Sequence, residues 1–183
     1  GAELALDVVA CPGADTCNIA VTQSRGLAKA IGERLEEEGL AEVGGVRINI
    51  SGCTNSCGQH HASDIGLFGA ERRAHGRSLP GYQLLLGGYV GEEQIHFGQK
   101  ALRLPARTAP EGVARVVRRF AEERNAAEPF AEWMKRVGGP GKIADGLRDL
   151  DVIPTPEEDE AYFTDYDETG PFVAEVAESE CAT

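Results

Sequence analysis

The chain has no basic residue between positions 149 and 183, no apolar run long enough to cross a bilayer, and no cysteine pair separated by two residues. Residues 149–183 carry 12 acidic side chains, while residues 1–148 carry 18 acidic and 18 basic ones, so the whole net charge of −12 sits in the tail. Such a distribution argues against nucleic acid as a partner, because phosphate binding needs a basic face and the tail repels it, although a balanced count leaves room for a local basic patch on the body. The lack of a long apolar run and of a charged-plus-apolar leader predicts no membrane partner and a cytoplasmic location. Without a two-residue cysteine gap there is neither the usual knuckle of a zinc ribbon nor the crowded ligand run of a bacterial ferredoxin. No internal repeat is visible. At 183 residues the chain is long enough for one sizeable core with appendages.

What is present is a set of four paired cysteines. Cys11 and Cys17 enclose five residues in Cys-Pro-Gly-Ala-Asp-Thr-Cys, and Cys53 and Cys57 enclose three in Cys-Thr-Asn-Ser-Cys. Four thiolates gathered by loops are the ligand set of a [4Fe–4S] cluster or of a structural zinc. Disulfides suit the pattern less well, since a reducing compartment keeps thiols free and an odd count leaves one over. The fifth, Cys181, belongs to neither pair and reads as incidental.

Both gaps, with the 35 residues between the pairs, resemble the cluster signature of the sirohaem-dependent nitrite and sulfite reductases. The likeness continues from Val46 through Cys57 to Leu67 and on through Gly81-Tyr82-Gln83-Leu84-Leu85-Leu86-Gly87-Gly88, and covers roughly residues 5–138. This resemblance implies that Cys11, Cys17, Cys53 and Cys57 hold one [4Fe–4S] cluster and that Cys57 also bridges to the sirohaem iron. It implies an assimilatory oxidoreductase carrying out the six-electron reduction of nitrite to ammonia or of sulfite to sulfide, with a donor such as ferredoxin. Asn55 matches a family Asn in the same loop, where it would contact a cofactor; a turn residue tolerating positive φ is the equal alternative. Family members have two related halves, and this chain resembles the cluster-bearing piece of the second, followed by the C-terminus. The remaining half is therefore an expected partner, and the segment alone is expected to be inactive. The residues do not distinguish nitrite from sulfite and assign no catalytic acid.

The pattern of elements predicts an α+β fold of mixed α/β layers, a sheet with flanking helices, cluster loops at strand ends and an extended acidic C-terminal tail. Leu4–Ala10 reads as a strand leading to Cys11. Apolar residues from Asn18 to Glu38 read as a helix closed by Gly39, which would put Cys17 at a helix N-terminus capped by Asp15 or Thr16. Val46–Ser51 alternates as a half-buried strand and delivers Cys53. Strands follow at Asp64–Phe68, Gly81–Val90 and Gln94–Leu104, with a basic loop at Arg72–Arg77; helices follow at Pro110–Asn125, Glu128–Val137 and near Ile143–Leu150. Residues 1–138 thus form the expected sirohaem and [4Fe–4S] domain, and 139–183 a linker, a short helix and the acidic tail.

Glycines at Gly13, Gly52 and Gly58 allow sharp turns and close approach of backbone amides to sulfur. His60 and His61 invite a proton-delivery role, but adjacent side chains on an extended segment point apart, so one must turn away. Arg47, Arg72, Arg73, His75 and Arg77 read as solvated loop charge, with haem carboxylates or an acidic donor as the alternative. Trp133, with Phe130 and Met134, reads as an apolar anchor. Gly138-Gly139-Pro140-Gly141-Lys142 follows a helix and lacks phosphate-loop spacing, which leaves a linker. The tail's Tyr162, Phe163, Tyr166 and Phe172 suit an arm docking on another surface, and its composition equally suits disorder. Two other functions fit the cysteines: a stand-alone [4Fe–4S] electron-transfer module and a zinc-stabilised interaction domain.

Overall fold

The computed structural model describes residues 4–174. Cys181 lies outside them. The main sheet has five strands in the order β1 (Val9–Ala10), β2 (Ile48–Ser51), β3 (Ile65–Ala74), β4 (Arg77–Leu86) and β7 (Gln99–Pro105). Strands β1, β2 and β3 are mutually parallel, and β3, β4 and β7 run antiparallel. A separate small hairpin pairs β5 (Tyr89–Val90) with β6 (Ile95–His96). This is the mixed α+β architecture the pattern predicts.

Between β1 and β2 lies α1 (Ser24–Glu37), and after β7 come α2 (Ala109–Glu123), α3 (Phe130–Arg136) and α4 (Pro140–Asp145). Leu27, Ile31 and Leu35, spaced at helical period, turn the buried face of α1 inward beside Val113, Val116, Val117 and Phe120 of α2. Alternate residues Tyr82, Leu84 and Leu86 of β4 join the same core. Trp133 is fully buried as the anchor expected, with Phe120 and Phe130 at ring-centroid distances of 5.4 and 5.1 Å. No helix among the described residues is long and apolar enough to cross a membrane.

Four local expectations are corrected. Strand β1 keeps only Val9–Ala10, because Ala5 and Leu6 bond instead to Val43 and Ala41 of the loop after α1. Helix α1 begins at Ser24 and not near Asn18, so Cys17 does not stand at its N-terminus; Val21 and Thr22 give their N–H groups to Gly52, which holds 18–23 as a loop. The basic stretch Arg72–Arg77 is no loop: Arg72 and Arg73 lie on β3, Arg77 opens β4, and His75-Gly76 form a two-residue hairpin turn with φ of 51° and 74°. The stretch read as a linker folds from Pro140 onward into α4, after a turn at Gly138 and Gly139.

The described part of the acidic tail, to residue 174, lies on the body. Arg72 pairs with Asp151, Arg77 forms a two-bond contact with Glu160, and His75 Nε2 meets the Ile153 carbonyl at 2.8 Å. Phe163 is fully buried beneath the Arg77 guanidinium, and Tyr166 donates its hydroxyl to the Ala106 carbonyl at 2.8 Å. Of the basic side chains expected to be solvated, Arg72 and Arg77 thus hold tail carboxylates, whereas Arg73 is exposed beside Glu71.

Candidate metal centre

Both cysteine loops leave the C-terminal ends of neighbouring parallel strands. Cys11 follows β1 and donates its N–H to the Ile50 carbonyl of β2, while β2 ends two residues before Cys53. In sheets built this way, ligands gather beyond the carboxyl ends of the strands. The first loop turns through a short helical turn at Gly13–Asp15, and Cys17 N–H closes it onto the Gly13 carbonyl at 3.0 Å. Gly13 sits at φ 66°, a left-handed conformation that suits glycine.

The second loop is pinned from beneath. Ser51 Oγ accepts from Gly58 N–H at 3.0 Å and meets His60 Nδ1 at 2.8 Å, while Asn49 Nδ2 donates to the Gly58 carbonyl at 2.9 Å. A Cβ on Gly58 would collide with the Ile50 carbonyl oxygen, so only glycine fits there. Ser56 and Gln59 both adopt left-handed backbone, with φ of 60° and 57°. Such turns direct successive N–H groups into a concavity that favours anions, as around many iron–sulfur sites.

The loops meet through Gly52. Its N–H donates to Cys11 Sγ at 3.1 Å, and its carbonyl accepts from Val21 and Thr22 of the first loop. Burial raises the Cys53 thiol, and the nearby Cys11, Cys17 and Cys57 raise it further, opposed by the Asn55 backbone N–H. Cys11, Cys17 and Cys57 thus stand near enough to Cys53 for their charge to act on its thiol. Cys11, Cys17 and Cys53 are partly buried, and Cys57 is exposed. Among the described residues no three His, Cys, Asp or Glu side chains close into a cage for a single ion. Zinc draws its sulfurs to about 2.3 Å from one centre and requires such a cage. The donor set is all sulfur, four cysteines on two loops, which is the set a [4Fe–4S] cluster takes.

The other candidate residues sort as follows. Asn55 is exposed, and its contribution to the cysteines comes from its backbone N–H. His60 and His61 do not lie on an extended segment: they share a helical turn, His60–Ala62, with ring centroids 4.1 Å apart. His60 is fully buried, its imidazole held down to about 4 by desolvation and by His61, and its Nε2 has no hydrogen-bond partner among the described residues. Arg47 lies beside Asp64, whose Oδ2 accepts the Arg47 N–H at 2.8 Å. Sequence reasoning missed the buried hydroxyls of Ser24 and Thr22, which donate to the Cys11 carbonyl at 2.7 Å and the Gly52 carbonyl at 3.3 Å, since a hydroxyl behind a cysteine loop leaves no spacing signal.

Residues 2–141 match the family described as Nitrite and sulphite reductase 4Fe-4S domain. The chain belongs to this family. It is 39% identical over 127 residues to a ferredoxin–nitrite reductase of Synechococcus elongatus, a match covering 69% of this chain and 24% of that protein. It is 34% identical over 139 residues to a ferredoxin sulfite reductase of Mycobacterium tuberculosis, covering 71% of this chain and 24% of that one. The structure of the Mycobacterium tuberculosis NirA protein superposes with a TM-score of 0.63 at 30% identity, over 75% of this chain and 26% of that chain. A dissimilatory sulfite reductase shares the fold, with a TM-score of 0.60 at 13% identity over 91% of this chain and 55% of the other. The chain spans about a quarter of the length of the curated relatives it matches. Membership carries the cofactors expected from the resemblance, a [4Fe–4S] cluster and sirohaem.

Proposed function

We propose that Cys11, Cys17, Cys53 and Cys57 ligate the [4Fe–4S] cluster of a six-electron nitrite or sulfite reductase, and that Cys57 also bridges to sirohaem. The observation that carries this reading is the convergence of two strand-end loops in which three cysteines are partly buried and Cys57 faces outward. When bound, the haem supplies an iron for the small oxyanion and accepts electrons singly from the cluster. Ferredoxin is the proposed donor and nitrite or sulfite the proposed substrate, in the cytoplasm, where thiols stay reduced.

The chain's own residues do three things in this scheme. Gly52 and Asn55 aim backbone N–H groups at Cys11 and Cys53, which offsets cluster charge. Ser51, Asn49 and His60 brace the loop that presents Cys57. The basic side chains Arg72 and Arg77 are engaged by the tail. On this reading most cations for the haem carboxylates and the oxyanion come from the remaining half of the reductase, and this segment alone is inactive.

Anaerobic reconstitution with iron, sulfide and sirohaem tests the assignment. Four irons per chain and a cluster-coupled haem are expected. Cys53→Ser should lose the cluster, and Cys57→Ser should lose both cluster and coupling; retained coupling in Cys57→Ser sinks the bridge. With reduced methyl viologen, the segment should form neither ammonia nor sulfide at a useful rate. Turnover comparable to that of a whole reductase would show the site complete without its partner half.

A further inference from the structure

Cys11 differs from the other ligands in the hydrogen bonds around its sulfur. Its Sγ accepts from Gly52 N–H at 3.1 Å and lies 3.4 Å from the Ser24 hydroxyl, which also donates to the Cys11 carbonyl at 2.7 Å. Ser24 is fully buried, and a Cβ on Gly13 would strike its oxygen, so first loop and hydroxyl are fitted to each other. A hydroxyl has one hydrogen. In the free chain, that hydrogen serves the Cys11 carbonyl while the thiol hydrogen of Cys11 can point at Ser24 Oγ. An iron-bound thiolate has no hydrogen to give, and an oxygen lone pair left facing it is repulsive. Rotating the hydroxyl onto the sulfur removes that repulsion and makes a charge-assisted bond.

We infer that Ser24 is a positioning residue for the cluster: its hydroxyl turns onto the Cys11 sulfur on ligation and, with the Gly52 N–H, sets the cluster's reduction potential. Hydrogen bonds to cluster sulfurs are one of the determinants of that potential. The added electron makes the cluster more anionic, so donors at Cys11 stabilise the reduced state over the oxidised one. The sulfur of Cys11, partly buried where Cys57 is exposed, would then be a favoured corner for that charge.

This inference rests on Cys11 being a ligand, and the experiment separates the two. The chain, reconstituted anaerobically with iron and sulfide, is titrated with dithionite under electron paramagnetic resonance, alongside Ser24→Ala and Ser24→Thr. In Ser24→Ala the ratio of reduced to oxidised cluster at fixed ambient potential should fall by up to about tenfold, about 59 mV toward negative for a one-electron couple. Ser24→Thr, which keeps the hydroxyl, should stay near the parent. An intact cluster with unchanged potential in Ser24→Ala, or equal shifts in both variants, overturns the role of Ser24 and leaves the ligand set standing. Full iron content and an unaltered spectrum in Cys11→Ser overturn the ligand reading, and the inference with it. If Ser24→Ala does not take up cluster, the parent decides: double-resonance spectra after transfer to heavy water must show a rapidly exchanging hydroxyl deuteron coupled to the reduced cluster. Its absence overturns the inference.

Discussion

The two cysteine loops leave adjacent parallel strands in the same direction yet end in opposite settings. The first is backed by remote chain: Asp165 accepts Gln23 N–H at 2.9 Å just before α1, Glu168 accepts from Gln23 Nε2 at 2.8 Å, and tail residues line a crevice with Ala14 and Val21. The second is backed by its own strand and the turn that follows, through Asn49, Ser51 and His60. The first pair is thus set by tertiary packing and the second pair by local geometry. Exposure does not follow this division: Cys53 is partly buried like Cys11 and Cys17, and Cys57 is the sulfur left open.

Removing the tail should break this comparison most. Truncation after Leu150 deletes Phe163, whose burial alone is worth about 3–5 kcal/mol on a large-to-small reading. Melting should fall by roughly 10 °C for a chain of this size. Hydrogen exchange should speed at Cys17 N–H in the first loop and stay slow at Ala62 N–H beyond the second. An unchanged melting curve would return the tail to an accessory. Gly58→Ala should do the reverse at lower cost, about 1–3 kcal/mol from overpacking against Ile50, with faster exchange around the second loop alone.

How far the sequence foretold this difference depends on the range of the contacts. Cys-Thr-Asn-Ser-Cys-Gly on a strand end is local information, and the second loop was legible down to its glycine. The start of α1 was not, because apolar positions from Ile19 continue a helical period into a segment that bonds to Gly52 instead. Nor was its cap: Gln23 has no side-chain cap of its own, and the carboxylate that serves it lies 142 residues later. Charge gave a partial signal. The tail's excess of acid and the arginines near position 75 were both visible, but their pairing needed the hairpin that brings Arg72 and Arg77 together.

The buried titratable groups behind the loops sharpen the comparison by pH. Asp165 is raised to about 6, first by desolvation, so its contribution is full below the unfolded value near 4 and is lost as pH rises through 6. His60 is lowered to about 4, so its contribution is full above the unfolded value near 6.5 and is lost as pH falls toward 4. Between pH 6.5 and 4.5 the two slopes oppose. Asp165→Asn should unmask the histidine, losing about 2 kcal/mol more than the parent over that window; His60→Asn should gain relative to it by a similar amount. Denaturant titrations at five or six pH values check both signs. Parallel profiles in all three proteins would mean that neither group is buried in solution.

The smallest effect should come from the feature that looks most conspicuous on the surface. Arg77 makes two 2.8 Å bonds to Glu160 and lies over the Phe163 ring, yet both charged groups keep access to water. Exposed pairs gain little because water already solvates each charge and salt screens the remainder. Arg77→Ala should therefore lower the melting temperature by no more than about 2–4 °C, with most of that loss gone in high salt. Phe163→Ala should lose far more, at every salt concentration, because apolar burial does not depend on screening. If Arg77→Ala instead matched Phe163→Ala, the strap would be held by charge. The first loop would then loosen with ionic strength while the second did not, a division that hydrogen exchange at Cys17 and Ala62 would show directly.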